Sequence, residues 1–182
     1  MSKVYAFMAD GLEEVECLAV VDILRRGSVI VELVSISDHR EVTGAHGITV
    51  MADRLLTETD VSDADLLFLP GGGGGTKLLG ACAALAQELC RAAEKGKRLA
   101  AICAAPSVLG GLGLLKGKRA TCYPGFEDKL IGADRVKDGV VTDGNITTAR
   151  GLGFAIDLGL ELIRLLVDEK TSLEVKDAIQ YA

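Results

Sequence analysis

One short run constrains this chain more than any other: Leu99-Ala100-Ala101-Ile102, entirely apolar and ending on Cys103. Four apolar residues are far too few for a membrane span and suit a strand buried on both faces of a parallel sheet. The stretch Ala104 to Leu112 then reads as a helix, with Pro106 in its first turn, where a missing N–H is harmless. Cys103 thus falls at a strand-to-helix corner. Ala101, Ala104 and Ala105 crowd that corner with nothing larger than a methyl group, as a sharp nucleophile elbow requires. A helix leaving the corner turns its N-terminal amides towards the sulfur, which predicts a thiolate. The same pattern also suits a small buried core cysteine, because free cysteine packs well in interiors.

The remaining elements repeat the strand-turn-helix alternation. Val4 to Met8 is a short strand, Ala9-Asp10-Gly11 a turn, and Glu13 to Arg26 a helix closed by Gly27. Acidic residues open that helix and Arg25-Arg26 end it, both matched to its dipole. Ile30 to Ser35 completes a βαβ unit, which implies parallel strands joined by a right-handed crossover. Val42 to Val50 reads as short strands or a hairpin around glycines. Leu66 to Leu69 is another buried strand, stopped by Pro70 and followed by five glycines, Gly71 to Gly75, with a helix from Thr76. A helix from Ala83 to Lys95 precedes the central strand. Ala120 to Cys122 is read as a strand. Val136 to Thr148 carries two Asp-Gly turn signals and reads as an antiparallel excursion. A long helix to Val167 and a short one from Leu173 to Ala178 finish the chain.

No repeat or linker interrupts this order, so residues 1–182 are read as a single domain with a flavodoxin-like, doubly wound parallel sheet between helical layers. The absence of tryptophan leaves an aliphatic core. A net charge of −6 argues against a nucleic-acid partner. No stretch suits a membrane span or a signal peptide. Five cysteines without paired spacing point to free thiols in a reducing, cytoplasmic setting. Two histidines seven positions apart make no metal site, and no cofactor is expected.

In an open α/β sheet the chemistry lies at the carboxyl ends of the strands. Three loops emerge there: Ala9 to Glu16, Pro70 to Gly75, and Cys103-Ala104. The glycine run lacks the lysine and hydroxyl spacing of a phosphate loop. It is read either as a flexible turn or as a place where amides approach a developing oxyanion. Glu16 shares a helix face with Val20 and Ile23; an apolar setting would raise its pKa, although spacing alone also allows a surface charge. Glu13 and Glu14 read as solvated helix-start charges. His39 and His46 fall on the surface β segment, away from the strand ends.

Asp10-Gly11-Leu12-Glu13-Glu14-Val15-Glu16, Leu69-Pro70-Gly71-Gly72, Ala101-Ile102-Cys103-Ala104-Ala105-Pro106 and Ala149-Arg150-Gly151 together resemble the ThiJ/PfpI family, in its deglycase-like branch. The likeness covers essentially the whole chain. It implies a fold of the class I glutamine amidotransferase type, a homodimer, and small reactive aldehydes or their glycated adducts as substrates. By position it makes Cys103 the nucleophile and Glu16 the acid that hydrogen-bonds the sulfur. The amides of Gly72 and Ala104 become the oxyanion hole. Tyr123, Arg26, Gly151, Leu152 and His46 are the expected pocket lining, with His46 reaching across a dimer.

Several positions depart from the family pattern. Tyr123 stands where histidine is common before the proline, and a phenol is a poor base at neutral pH. Ala104 replaces the histidine that follows the cysteine in the protease-like branch, which argues against a peptidase. No histidine follows Cys103 anywhere, which argues against glutamine amidotransfer. Leu152 and Phe154 replace a common proline and threonine. The alternative reading is a redox-responsive stress protein or holdase chaperone that signals through oxidation of Cys103. Cys17, Cys82, Cys90 and Cys122 are read as packing or surface residues.

Overall fold

A computed structural model describes all 182 residues. Seven strands form the central sheet in the order β10-β11-β7-β6-β1-β2-β5. They are β1 (Lys3–Met8), β2 (Ile30–Ser35), β5 (Arg54–Leu55), β6 (Leu66–Leu69), β7 (Arg98–Ile102), β10 (Val140–Asp143) and β11 (Ile146–Ala149). All neighbours run parallel except the edge pair β10 and β11. This is the doubly wound, flavodoxin-like arrangement. The chain steps from β1 outward to β2, then returns across β1 to β6, so the order reverses between β1 and β6.

Alternation along the buried strands feeds two cores. Val4, Ala6, Met8, Phe68, Ala100 and Ile102 face α1 (Glu14–Arg26) and α5 (Ala155–Leu166). Tyr5, Phe7, Leu67, Leu69, Leu99 and Ala101 face the layer of α2 (Gly73–Ala81), α3 (Ala83–Glu94) and α4 (Pro106–Gly111). Helices α1 and α5 pack closely because Gly159 has no side chain. A methyl group there would sit 2.7 Å from the Ile23 side chain. A sixth helix, α6 (Glu169–Ala178), packs on α5.

Three expectations shift. Helix α2 starts at Gly73, so most of the glycine run is helical. A methyl group on Gly75 would come within 2.9 Å of the Leu12 backbone, and this close approach is what the small residue permits. Only Arg119–Ala120 (β8) forms a strand in the 120s region, paired with Asp134–Arg135 (β9). The Asp-Gly segment forms the expected antiparallel pair, but as part of the main sheet and not as an excursion from it. Its hairpin turns at Gly144, and β11 then inserts beside β7 in the main sheet. The glycine-flanked segment near His46 is a separate hairpin of β3 (Glu41–Thr43) and β4 (Thr49–Met51). No helix is long and apolar enough to cross a membrane.

Candidate active site

Strand β7 ends at Ile102, and the next residue turns sharply. Cys103 has φ +65°, a left-handed conformation that a side-chain-bearing residue adopts only under constraint. Two long-range bonds hold it there. Its N–H donates to the Ala149 carbonyl at 2.9 Å, and its carbonyl accepts from the Tyr123 amide at 2.8 Å. The amides of Gly72 and Ala104 point at the sulfur. Gly72 has φ +92°, and a methyl group on it would overlap the backbone of Gly11 to Glu13. Only glycine can put an amide at this spot.

Glu16 reaches the sulfur from the first turns of α1. It is 1% exposed, so the surface alternative is excluded. Its carboxyl hydrogen-bonds Cys103, while the amides of Gly71 and Leu152 face it and Oε2 finds no partner of its own. Burial pushes Glu16 up to about 7, against the lowering effect of the Cys103 contact. Burial and then the Glu16 charge push the Cys103 thiol up to about 12; the Gly72 and Ala104 amides pull it down. The dipole of the following helix does not by itself hold Cys103 as a thiolate. Helix α4 has only six residues, and an ionised Glu16 outweighs it. The two groups compete for one proton. A proton on Glu16 removes the repelling charge and supplies a donor to the sulfur.

The other expected residues divide sharply. Gly151 follows β11, and a methyl group on it would lie 3.3 Å from the Tyr123 ring and 3.9 Å from Glu16 Oε1. Tyr123, Gly151 and Leu152 therefore meet around the Glu16–Cys103 pair, with Tyr123 and Leu152 exposed. Arg26 does not. It lies ten residues along α1 from Glu16, about 15 Å of helix, and pairs with Asp22 at 2.7 Å. Within this chain it lines nothing at the thiol. His46 also stands apart, with Nδ1 2.9 Å from Glu14 Oε2 and 3.4 Å from Glu13 Oε2.

Two features escaped the reading of the residues. Gly71 is indispensable, because a methyl group there would overlap Glu16 Oε2 and crowd Cys103 Cβ. Four neighbouring glycines masked it. Glu14 is no solvated charge. At 2% exposure it accepts from the His46 amide at 2.8 Å, from His46 Nδ1 and from the Ile48 amide. These bonds outweigh its burial and hold its carboxyl at about 2. Glu13, Glu14 and His46 also bring three ligand-type atoms within 4.8 Å of one another, a grouping that spacing along the chain does not reveal. The remaining cysteines are all free: Cys17 and Cys122 buried, Cys82 and Cys90 half-buried. Burial alone pushes Cys17 up to about 12.

A family model described as DJ-1/PfpI matches residues 2–165. DJ-1 homolog B of Arabidopsis thaliana is 38% identical over 95% of this chain, which spans 40% of that relative's length. A protein named deglycase in Pyrococcus abyssi is 34% identical, over 90% of this chain and 99% of its own. A solved structure described as Toxoplasma gondii DJ-1, oxidized, superposes with a TM-score of 0.96 at 33% identity, covering both chains fully.

Proposed function

The chain belongs to the DJ-1/PfpI family, and on that premise we propose that it is a cysteine-dependent enzyme of the glyoxalase or deglycase type, acting on small reactive aldehydes or their glycated adducts. One observation carries the reading: a buried, protonatable Glu16 carboxyl bonds to a thiol held at a strained elbow under two converging amides. The deglycase name of a relative matched along nearly its full length supports the substrate class.

The steps follow from this arrangement. With the shared proton on Glu16, the Cys103 sulfur adds to the aldehyde carbon of an α-oxoaldehyde, and the carbonyl electron pair moves to oxygen. The Gly72 and Ala104 amides stabilise that oxyanion. Glu16 protonates it and then, by way of an enediol, moves a proton from the former aldehyde carbon to the adjacent carbonyl carbon, while the hydroxyl proton of the first carbon passes to the oxygen of the second. The first carbon is oxidised and the second reduced, so no outside oxidant is needed. The resulting thioester is hydrolysed by water, which releases a 2-hydroxy acid and restores the thiol. Tyr123 serves as rim and hydrogen-bond donor, since a phenol is a poor base here. Cys103→Ser should lower aldehyde consumption by at least about 10³-fold with an unchanged circular dichroism spectrum. Turnover within tenfold of wild type would exclude the mechanism.

The protein acts as a homodimer in this reading. Val15 and Leu18 on α1 and Ile48 and Met51 on the β3–β4 hairpin are large, apolar and exposed. Sedimentation at micromolar concentration tests this; a monomer there refutes it. The second reading, a redox-responsive protein, draws on the partial accessibility of Cys103 beside an acid and on a close structural neighbour described as oxidized. Stoichiometric peroxide should then modify Cys103 first and alter dimerisation or holdase activity. Loss of turnover alone would make oxidation mere damage.

A further inference from the structure

A groove of about 460 Å³ runs between α2 and α4, beside the candidate active site and not used by the mechanism. Its upper wall begins where the oxyanion machinery ends. Gly73 follows Gly72 directly, and the Ser107 hydroxyl donates to the Ala104 carbonyl at 2.6 Å. Further along it are Thr76 and Lys77 on α2, and Phe126 and Lys129 on the segment after Tyr123. No carboxylate lines it, in a chain of net charge −6.

Three features of this groove ask for an anion. Lys77 and Lys129 both line the groove, and neither is neutralised by a carboxylate of its wall. Lys129 instead lies 4.5 Å over the Phe126 ring, which presents its ammonium beside an aromatic wall. Thr76 is only 5% exposed, and its hydroxyl has no hydrogen-bond partner in the protein. A buried hydroxyl left unpaired is unfavourable, and natural proteins seldom keep one without a use.

We infer that this groove binds the oxyanion end, carboxylate or phosphate, of a substrate whose carbonyl lies at Cys103. The inference rests on the proposed aldehyde chemistry and narrows its substrate class. Small neutral glyoxals would use the thiol alone. An elongated α-oxoaldehyde with an anionic tail would also engage Lys77, Lys129 and the Thr76 hydroxyl. Binding energy from the remote tail would then orient the reacting carbon.

The test compares 4-carboxyphenylglyoxal with phenylglyoxal, which differ only in the charged tail. Wild type should favour the carboxylated aldehyde in kcat/KM by about tenfold, as a pair of charge contacts allows. Lys77→Ala/Lys129→Ala should abolish that preference and leave phenylglyoxal within about twofold. Thr76→Val, which keeps shape and removes only the hydroxyl, should reduce the preference severalfold, and it serves if the double variant fails to fold. Acetate and inorganic phosphate as competitors separate the two tails: the one that inhibits the carboxylated substrate selectively names the natural chemistry. Equal rates on both aldehydes in wild type, or a preference that survives in the variants, would overturn the inference. If Cys103 turns over neither aldehyde, the aldehyde reading fails by itself. The groove is then judged by calorimetry with terephthalate, where binding that disappears in the lysine variant supports it and no binding refutes it.

Discussion

Glu14 and Glu16 stand two residues apart on one helix, and both are almost fully buried, yet their carboxyls end up at about 2 and about 7. Burial disfavours the charged form of each; the difference lies in what meets the oxygens. Glu14 turns towards the β3–β4 hairpin and accepts from two amides and an imidazole. Glu16 turns towards the end of the sheet, where a sulfur faces it and Oε2 is left unpaired. One carboxylate is thereby fixed as a charge that fastens a hairpin to α1. The other is left able to hold or release a proton near neutrality, as a general acid-base should.

The largest expected contrast is in turnover. Glu16→Gln should lower kcat by about 10²- to 10⁴-fold, the usual range for removing a general acid-base. Glu14→Gln should leave kcat within a few-fold. Comparable losses in both variants would erase the distinction between the two carboxyls. The same Glu16→Gln protein sharpens the proton assignment when alkylation of Cys103 is followed against pH by mass spectrometry. Wild-type reactivity should rise through the lower titration of the pair, near 7, and then level off. The variant should lack that step. A wild-type profile that climbs only near 12 would deny Glu16 any part in taking the thiol proton.

Stability should separate the two residues with opposite signs. The folded pKa of Glu16 is raised from 4.5 to about 7, so its contribution is present below 4.5 and lost as pH rises through 7. Glu16→Gln should therefore gain on wild type between pH 4 and pH 8, by about 3 kcal/mol in urea unfolding. The folded pKa of Glu14 is depressed from 4.5 to about 2, so its contribution is present above 4.5 and lost as pH falls through 2. His46, raised from 6.5 by the Glu14 hydrogen bond, contributes below 6.5 and loses that contribution above its raised value. The hairpin latch is therefore strongest between these limits. The smallest effect follows: His46→Ala should speed amide exchange in residues 41–51 at pH 6 and much less at pH 9. Equal acceleration at both pH values would deny the imidazole its role.

Much of this was open to a reader of the residues. The strands from Val4, Ile30, Leu66 and Leu99 and the elbow at Cys103 follow from local patterns, because short apolar runs between helix signals have few other uses. Glu16 was harder. Its face on α1 is apolar, but spacing could not say whether that face was covered, and the family motifs identified it before the geometry did. Arg26 shows the opposite failure, since a position on the right helix is no position at the right end of it.

The sequence by itself determined the parallel sheet, the corner cysteine and the glycines after Pro70, since each rests on periodicity and backbone sterics that act within a few residues. Tertiary structure alone decided which carboxylate became the acid and which the latch. It also decided that β11 seats Gly151 beside Tyr123, and that Thr76, Lys77 and Lys129 share one groove. Those outcomes depend on contacts between residues far apart in the chain and on the field each group meets when buried. Neither quantity is encoded in spacing along a strand or a helix.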